Sequence, residues 1–111
     1  PVPDLGCEID CEIEASNGKK CWAEFKGSWH GDRPGLRRTD TVKKAVADAF
    51  LAHGAPRDYP PVFIFTSHMP VAGTSGETML KIAKQSGALR DCISINDPSD
   101  LRRFKEFMEK A

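Results

Sequence analysis

The sequence contains no apolar run long enough to cross a bilayer. Its longest, Pro60–Phe65, has six residues, where a spanning helix needs about 18 or more. The amino terminus has no basic segment leading into an apolar one, so no secretory signal is expected. No stretch repeats with a period of 20–50 residues, which removes solenoids and propellers, and there is no low-complexity tract. Charge of either sign is not in excess: 16 Lys+Arg stand against 16 Asp+Glu. A neutral chain does not coat nucleic acid by bulk electrostatics, although a local basic patch stays open. Cysteine is present at 7, 11, 21 and 92 without any CxxC pair, so no common zinc pattern is met. Reduced, buried thiols in a cytoplasmic protein are the expectation.

What is present suits a folded domain. The chain has 111 residues, 40% hydrophobic and 29% charged. That length is expected to form one domain over 1–111 that buries enough surface for a core of its own.

Residues 6–14 alternate apolar and acidic side chains, the period of a half-buried strand, and residues 20–26 alternate as well. Ala15–Lys19 between them reads as a hairpin turn. A two-residue Asn17-Gly18 loop would mix the faces of the two strands. A three-residue loop with Gly18 in the left-handed bulge position pairs Ile13 with Cys21, Cys11 with Ala23 and Ile9 with Phe25. It leaves Glu14–Lys20, Glu12–Trp22, Asp10–Glu24 and Glu8–Lys26 on the other face, and it is the register that segregates polarity.

Gly27–Arg38 reads as a loop. A helix follows, capped by Thr39 or Asp40, with an apolar stripe of Val42, Ala45, Val46, Ala49 and Phe50 and with Gly54 at its end. Residues 61–66 form a strand apolar on both faces, hence central. A second helix starts near Thr74, where Thr74 and Glu77 have capping-box spacing. It carries Met79, Leu80, Ile82 and Ala83 inward and ends at Gly87. Residues 91–95 form a short strand. Asp97-Pro98 opens a last helix that turns Leu101, Phe104, Phe107 and Met108 to the core. The expected fold is therefore α/β, a three-layer sandwich with a mixed sheet in the order β-β-α-β-α-β-α.

In that register Asp10 faces Glu24. Like charges directly opposed destabilise a strand pair by up to about 1 kcal/mol. A divalent cation removes the penalty, and two carboxylates with nearby backbone carbonyls offer the hard oxygens that Mg²⁺ or Mn²⁺ takes. Lys26 shares their face and can orient water or stabilise charge on a phosphate.

Asp10, the hairpin, Glu24-Phe25-Lys26, a helix and a buried strand ending Phe65-Thr66-Ser67 together resemble the PD-(D/E)xK nuclease superfamily, with its Mrr-like restriction-endonuclease branch nearest. The resemblance lies in element order from about Gly6 to Phe104. An acid-x-Lys tripeptide is expected about once by chance in such a chain, so its placement carries the likeness. The resemblance implies a restriction-endonuclease-like fold and Mg²⁺-dependent cleavage of DNA phosphodiester bonds. It implies Asp10 and Glu24 as metal ligands, Phe25 lending its carbonyl, and Lys26 as catalytic lysine. Family cores open with a helix. Only Pro1–Leu5 precede the first strand here, so the expectation is a core without that helix or a piece of a longer chain with a further domain. A proline usual before the motif aspartate is replaced by Ile9.

Arg33, Arg37, Arg38, Lys43 and Lys44 form a basic stretch suited to phosphate contact. Trp22 and Trp29 can stack on bases or pack. His30 with Asp32 can form an acid–base pair or be plain loop residues, and His68 ends the central strand where α/β sheets place ligands. His53 complements its helix dipole. Thr74-Ser75-Gly76 can receive a phosphate or merely cap its helix. Two functions are weighed: a metal-dependent DNA endonuclease, and a non-catalytic α/β binding or assembly module, for instance a homodimer, on the same scaffold. The neutral total conceals a partition. Residues 1–14 hold five acids and no bases, and residues 15–44 hold eight bases and three acids.

Overall fold

A computed structural model describes residues 9–27, 35–37, 39–55 and 58–110. In chain order the elements are β1 (Cys11–Glu14), β2 (Lys20–Lys26), a 3₁₀ turn (Gly35–Arg37), α1 (Thr39–Gly54), β3 (Val62–Thr66), α2 (Ser75–Ser86), β4 (Asp91–Ser94) and α3 (Pro98–Glu109). The sheet order is β1-β2-β3-β4. β1 is antiparallel to β2, and β3 and β4 are parallel to it and to each other. This is the expected three-layer sandwich.

The hairpin forms in the segregating register, with Cys11 opposite Ala23 and Ile13 opposite Cys21. Its tip explains why. The Ala15 N–H donates to Lys19 and the Gly18 N–H to Ala15, while Gly18 sits at φ +88°, a conformation that glycine adopts without penalty. β1 is shorter than the 6–14 expected. Residues 6–8 lie outside the described residues, and Ile9 and Asp10 have left the ladder.

One face of the sheet carries α1 and α2. Val42, Ala45, Val46, Ala49 and Ala52 of α1 meet Leu80 and Ala83 of α2, with Val62, Ile64 and Cys92 beneath. The other face carries α3, where Phe63, Phe65, Ile93 and Met108 are buried with Phe104 and Phe107 packed against them. Three expected core residues are instead exposed: Phe50, Ile82 and Leu101. At 100° per residue, Phe50 falls at the margin of the α1 stripe and Ile82 well outside the Leu80–Ala83 line. Leu101 is in the first turn of α3, past the end of β4. β3 is buried along its whole length, as a central strand should be.

The caps largely follow the sequence. The Thr74 hydroxyl accepts from the Glu77 N–H and donates to Val71. The Glu77 carboxylate reaches back to the Gly73 N–H rather than to Thr74. Gly87 takes the left-handed C-cap at φ +85°. Gly54 does not; α1 runs through it without a left-handed turn. Asp97 caps α3 with Pro98 following. The hairpin tip grips the far end of that helix. The Asn17 amide donates to the Met108 carbonyl at 3.1 Å, and the Lys19 ammonium donates to Phe107 at 2.7 Å and Lys110 at 2.9 Å.

Candidate functional site

β2 inverts the usual burial of its last residues. Glu24 is 2% exposed while the neighbouring Phe25 ring is 51% exposed. The cause is topological. Trp22, Glu24 and Lys26 point to the face that α1 covers, so the polar side of the hairpin is roofed rather than solvated at Glu24. Phe25 points to the other face, where it stacks on Phe65 at 5.4 Å near the sheet's end.

The structure brings Asp10, Glu24 and Lys26 together. The pairing that sets Cys11 opposite Ala23 carries Asp10 alongside Glu24. The Asp10 carboxylate accepts the Phe25 N–H at 2.6 Å, taking the place of the next ladder bond. In an extended strand a residue's N–H and C=O point the same way, so the Phe25 carbonyl also faces the Asp10 side. The Lys26 ammonium is 3.6 Å from Glu24 Oε2. Its backbone is fixed by the Thr66 hydroxyl, 2.7 Å from the Lys26 carbonyl. That hydroxyl is packed in turn under Gly35, where a Cβ would stand 2.8 Å from it.

Glu24 Oε1 is buried and has no hydrogen-bond donor. A buried acceptor left in this state costs about 1–3 kcal/mol. The Glu24 carboxyl is pushed up to about 7, first by burial, then by the charges of Asp10 and Asp48, with Lys26 pulling the other way. Asp48, on α1, is a residue that the sequence did not point to. Burial raises its carboxyl above the ordinary value, with Glu24 and Lys26 pulling the other way. In the sequence it is simply an acid beside the apolar stripe of a helix, 24 positions from Glu24. Only the docking of α1 on β2 makes them neighbours.

The remaining candidates fare differently. Lys43 and Lys44 are exposed on α1. Arg33 and Arg38 lie outside the described residues, as do the side chain of Arg37 and Trp29, His30 and Asp32. Trp22 packs on Tyr59 at 4.7 Å and donates to Glu12, so its ring is engaged in the fold. Lys20 pairs with Glu12 at 3.9 Å rather than with Glu14. The Ser67 hydroxyl meets His68 Nδ1 at 2.9 Å, the His68 carbonyl accepts the Leu36 N–H, and Thr74 is committed to capping. Cys11, Cys21 and Cys92 are free thiols; burial pushes Cys21 up to about 11 and Cys92 to about 12, the inert form.

Among the described residues, no three His, Cys, Asp or Glu side chains converge as a ready-made metal cage, and no helix is long and apolar enough to cross a membrane. Comparison with protein-family models, with curated proteins and with solved structures finds no match. The architecture is thus a small α/β sandwich with a mixed sheet flanked by helices, compatible with a ligand-binding scaffold and not specific to any nuclease superfamily.

Proposed function

We propose that this chain is a divalent-metal-dependent nuclease that hydrolyses DNA phosphodiester bonds at the end of β2. The observation that carries the reading is the buried, donor-less Glu24 oxygen beside Asp10 and Lys26. A carboxylate is kept out of water at a cost to the fold, next to a second carboxylate and a backbone carbonyl. That donor set fits Mg²⁺ or Mn²⁺: hard oxygen ligands on a rigid strand. Asp10, Glu24 and the Phe25 carbonyl would hold the ion. When bound, it supplies Lewis acidity and a lowered pKa for water at neutral pH.

The other residues do work of their own. Lys26, anchored through its carbonyl to Thr66, places a positive charge where a scissile phosphate gains negative charge. Lys43 and Lys44, with Arg33, Arg37 and Arg38, supply sequence-independent phosphate contacts that position the backbone. Strand placement keeps Glu24 and Lys26 at a fixed spacing, which loops hold less well.

The test is nicking of supercoiled plasmid in Mg²⁺ or Mn²⁺ with an EDTA control. Wild type is expected to nick, and Asp10→Ala and Lys26→Ala are expected to slow it by about 100-fold or more. Wild type that leaves plasmid intact in both metals refutes the reading. A second reading is favoured by the exposed Phe25, Ile95 and Leu101 near the carboxyl ends of the parallel strands: a non-catalytic binding or assembly module. It takes over if no metal-dependent cleavage is seen.

A further inference from the structure

The sheet has two edges, β1 and β4, and the described residues finish them differently. The Ile95 N–H donates to Thr66 at the end of β3, and the direction of N–H and C=O alternates along a strand, so Cys92 and Ser94 face outward from β4. Their four backbone groups are all taken. The Cys92 N–H donates to Asp91 at 2.8 Å, and its carbonyl accepts from Arg103 at 3.5 Å. The Ser94 N–H donates to Asp100 at 2.9 Å, and its carbonyl accepts from the Asp97 N–H. The β4 edge is closed.

The β1 edge is not. The Ala15 N–H donates to Lys19 on the other arm of the hairpin, so by the same alternation Ile13 and Cys11 turn to β2 while Glu12 and Glu14 turn outward. Among the described residues, nothing bonds the outward N–H or C=O of either glutamate. A row of this kind is a template for a further strand. We propose that the β1 edge docks an extended segment of a partner protein that alternates basic and apolar residues, added to the sheet as a new strand. None of the groups assigned to the cation site is used.

The two faces of β1 set the partner's chemistry. In an added strand, the residues opposite Cys11 and Ile13 point to the α3 face. There β1 and α3 leave a groove of about 350 Å³, with Ile13, Ala15, Phe104 and Met108 in its lining, which takes apolar side chains. Its rim on α3 carries Lys105 and Glu109, 3.8 Å apart, and so adds no net charge. The residues opposite Glu12 and Glu14 point to the other face, where both glutamates are exposed. Glu12 shares Lys20; Glu14 has no cationic partner among the described residues. Basic side chains complement that face. A second copy of this chain does not. Two β1 strands paired about a twofold axis keep like faces together, so glutamates oppose glutamates across the new ladder, which destabilises it.

The experiment titrates a capped synthetic peptide of about six residues, alternating lysine and valine, into the full chain, followed by backbone amide NMR and hydrogen exchange. In the free protein the Glu12 and Glu14 amides are expected to exchange faster than those of Cys11 and Ile13. Peptide is expected to slow them at least tenfold and to shift the side-chain resonances of Ile13 and Met108. Glu14→Pro removes one outward N–H and one charge without touching the β1–β2 ladder, and is expected to weaken the peptide at least tenfold. Glu14→Gln removes the charge alone and is expected to weaken it less than Glu14→Pro does. Glu106→Lys, exposed on α3, is expected to stay within twofold, and a peptide alternating glutamate and valine is expected not to bind. Absence of lysine–valine peptide binding at millimolar concentration overturns the proposal. So does binding that leaves exchange at Glu12 and Glu14 unchanged, a reading that needs no variant to fold. Equal losses in Glu14→Gln and Glu14→Pro would show that charge alone holds the peptide, which also overturns strand addition. Concentration-dependent protection of the two amides without peptide would give the edge to a second copy instead.

Discussion

At the scale of single residues, Glu24 is the buried acid on which the proposed chemistry rests. Its burial makes the fold sensitive to its charge, and the sign is fixed by the direction of its shift. Its pKa rises from 4.5 to about 7 on folding, so between those values the native state holds a proton that the unfolded chain has released. Stability therefore falls as pH rises through that window. Asp48, also raised, acts in the same direction. In EDTA, unfolding free energy is expected to drop by up to about 3 kcal/mol between pH 5 and pH 8, at 1.36 kcal/mol per pKa unit, and Glu24→Gln is expected to flatten the drop. Urea titrations at several pH values measure it. A wild-type profile that is flat or rises over this range contradicts the assignment.

At the scale of elements, most of the fold was legible because each segment carries its own punctuation. Asn17-Gly18 with strict alternation on both sides specified not only the hairpin but its register, since only one loop length separates apolar from polar side chains. Asp97-Pro98 and Thr74 with Glu77 marked two helix starts. The misread positions, Phe50, Ile82 and Leu101, lie at the edges of stripes or past the sheet's end, where helical period alone does not say how far the covering layer extends. That Asp10 lies beside the end of β2 was readable for the same reason as the register, although Asp10 leaves the ladder and takes the Phe25 N–H instead of pairing with Glu24. Asp48 was not, because how a helix docks on a sheet depends on packing that no local pattern encodes. Nor did the sequence reveal the contact between the hairpin tip and the end of α3. Lys19 donates to the carbonyls of Phe107 in α3 and of Lys110 at its C-cap and lies 3.8 Å from the Phe107 ring centre, a positive charge at the negative end of a helix. Lys19→Met is expected to cost about 1–2 kcal/mol and to raise amide exchange selectively in the last turn of α3. Unchanged exchange there would show that the last turn of α3 does not depend on this clamp.

At the scale of the whole molecule, the candidate site lies where the open end of the hairpin meets the central sheet. Asp10 precedes β1, and Glu24 and Lys26 belong to a strand flanked on both sides. A ligand that contacts all of them in the native state, and none of them together in the unfolded chain, stabilises by mass action, by about 2.7 kcal/mol at one hundred times its dissociation constant. For a domain near 100 residues each kcal/mol moves the melting temperature by about 4–8 °C, so saturating Mg²⁺ is expected to raise it by about 10–20 °C. Sodium chloride at matched ionic strength is the control that separates binding from screening. The chain sets an acidic first strand against a basic hairpin and helix start, and added salt weakens those attractions while also easing repulsion among the acids. Screening alone would make the two salts equivalent; a cation site makes Mg²⁺ the stronger stabiliser, and Glu24→Gln abolishes the difference. Equal shifts with the two salts would leave the molecule without a cation site, and the sandwich would then be read as a binding or assembly module whose exposed Phe25 and Leu101 await a partner.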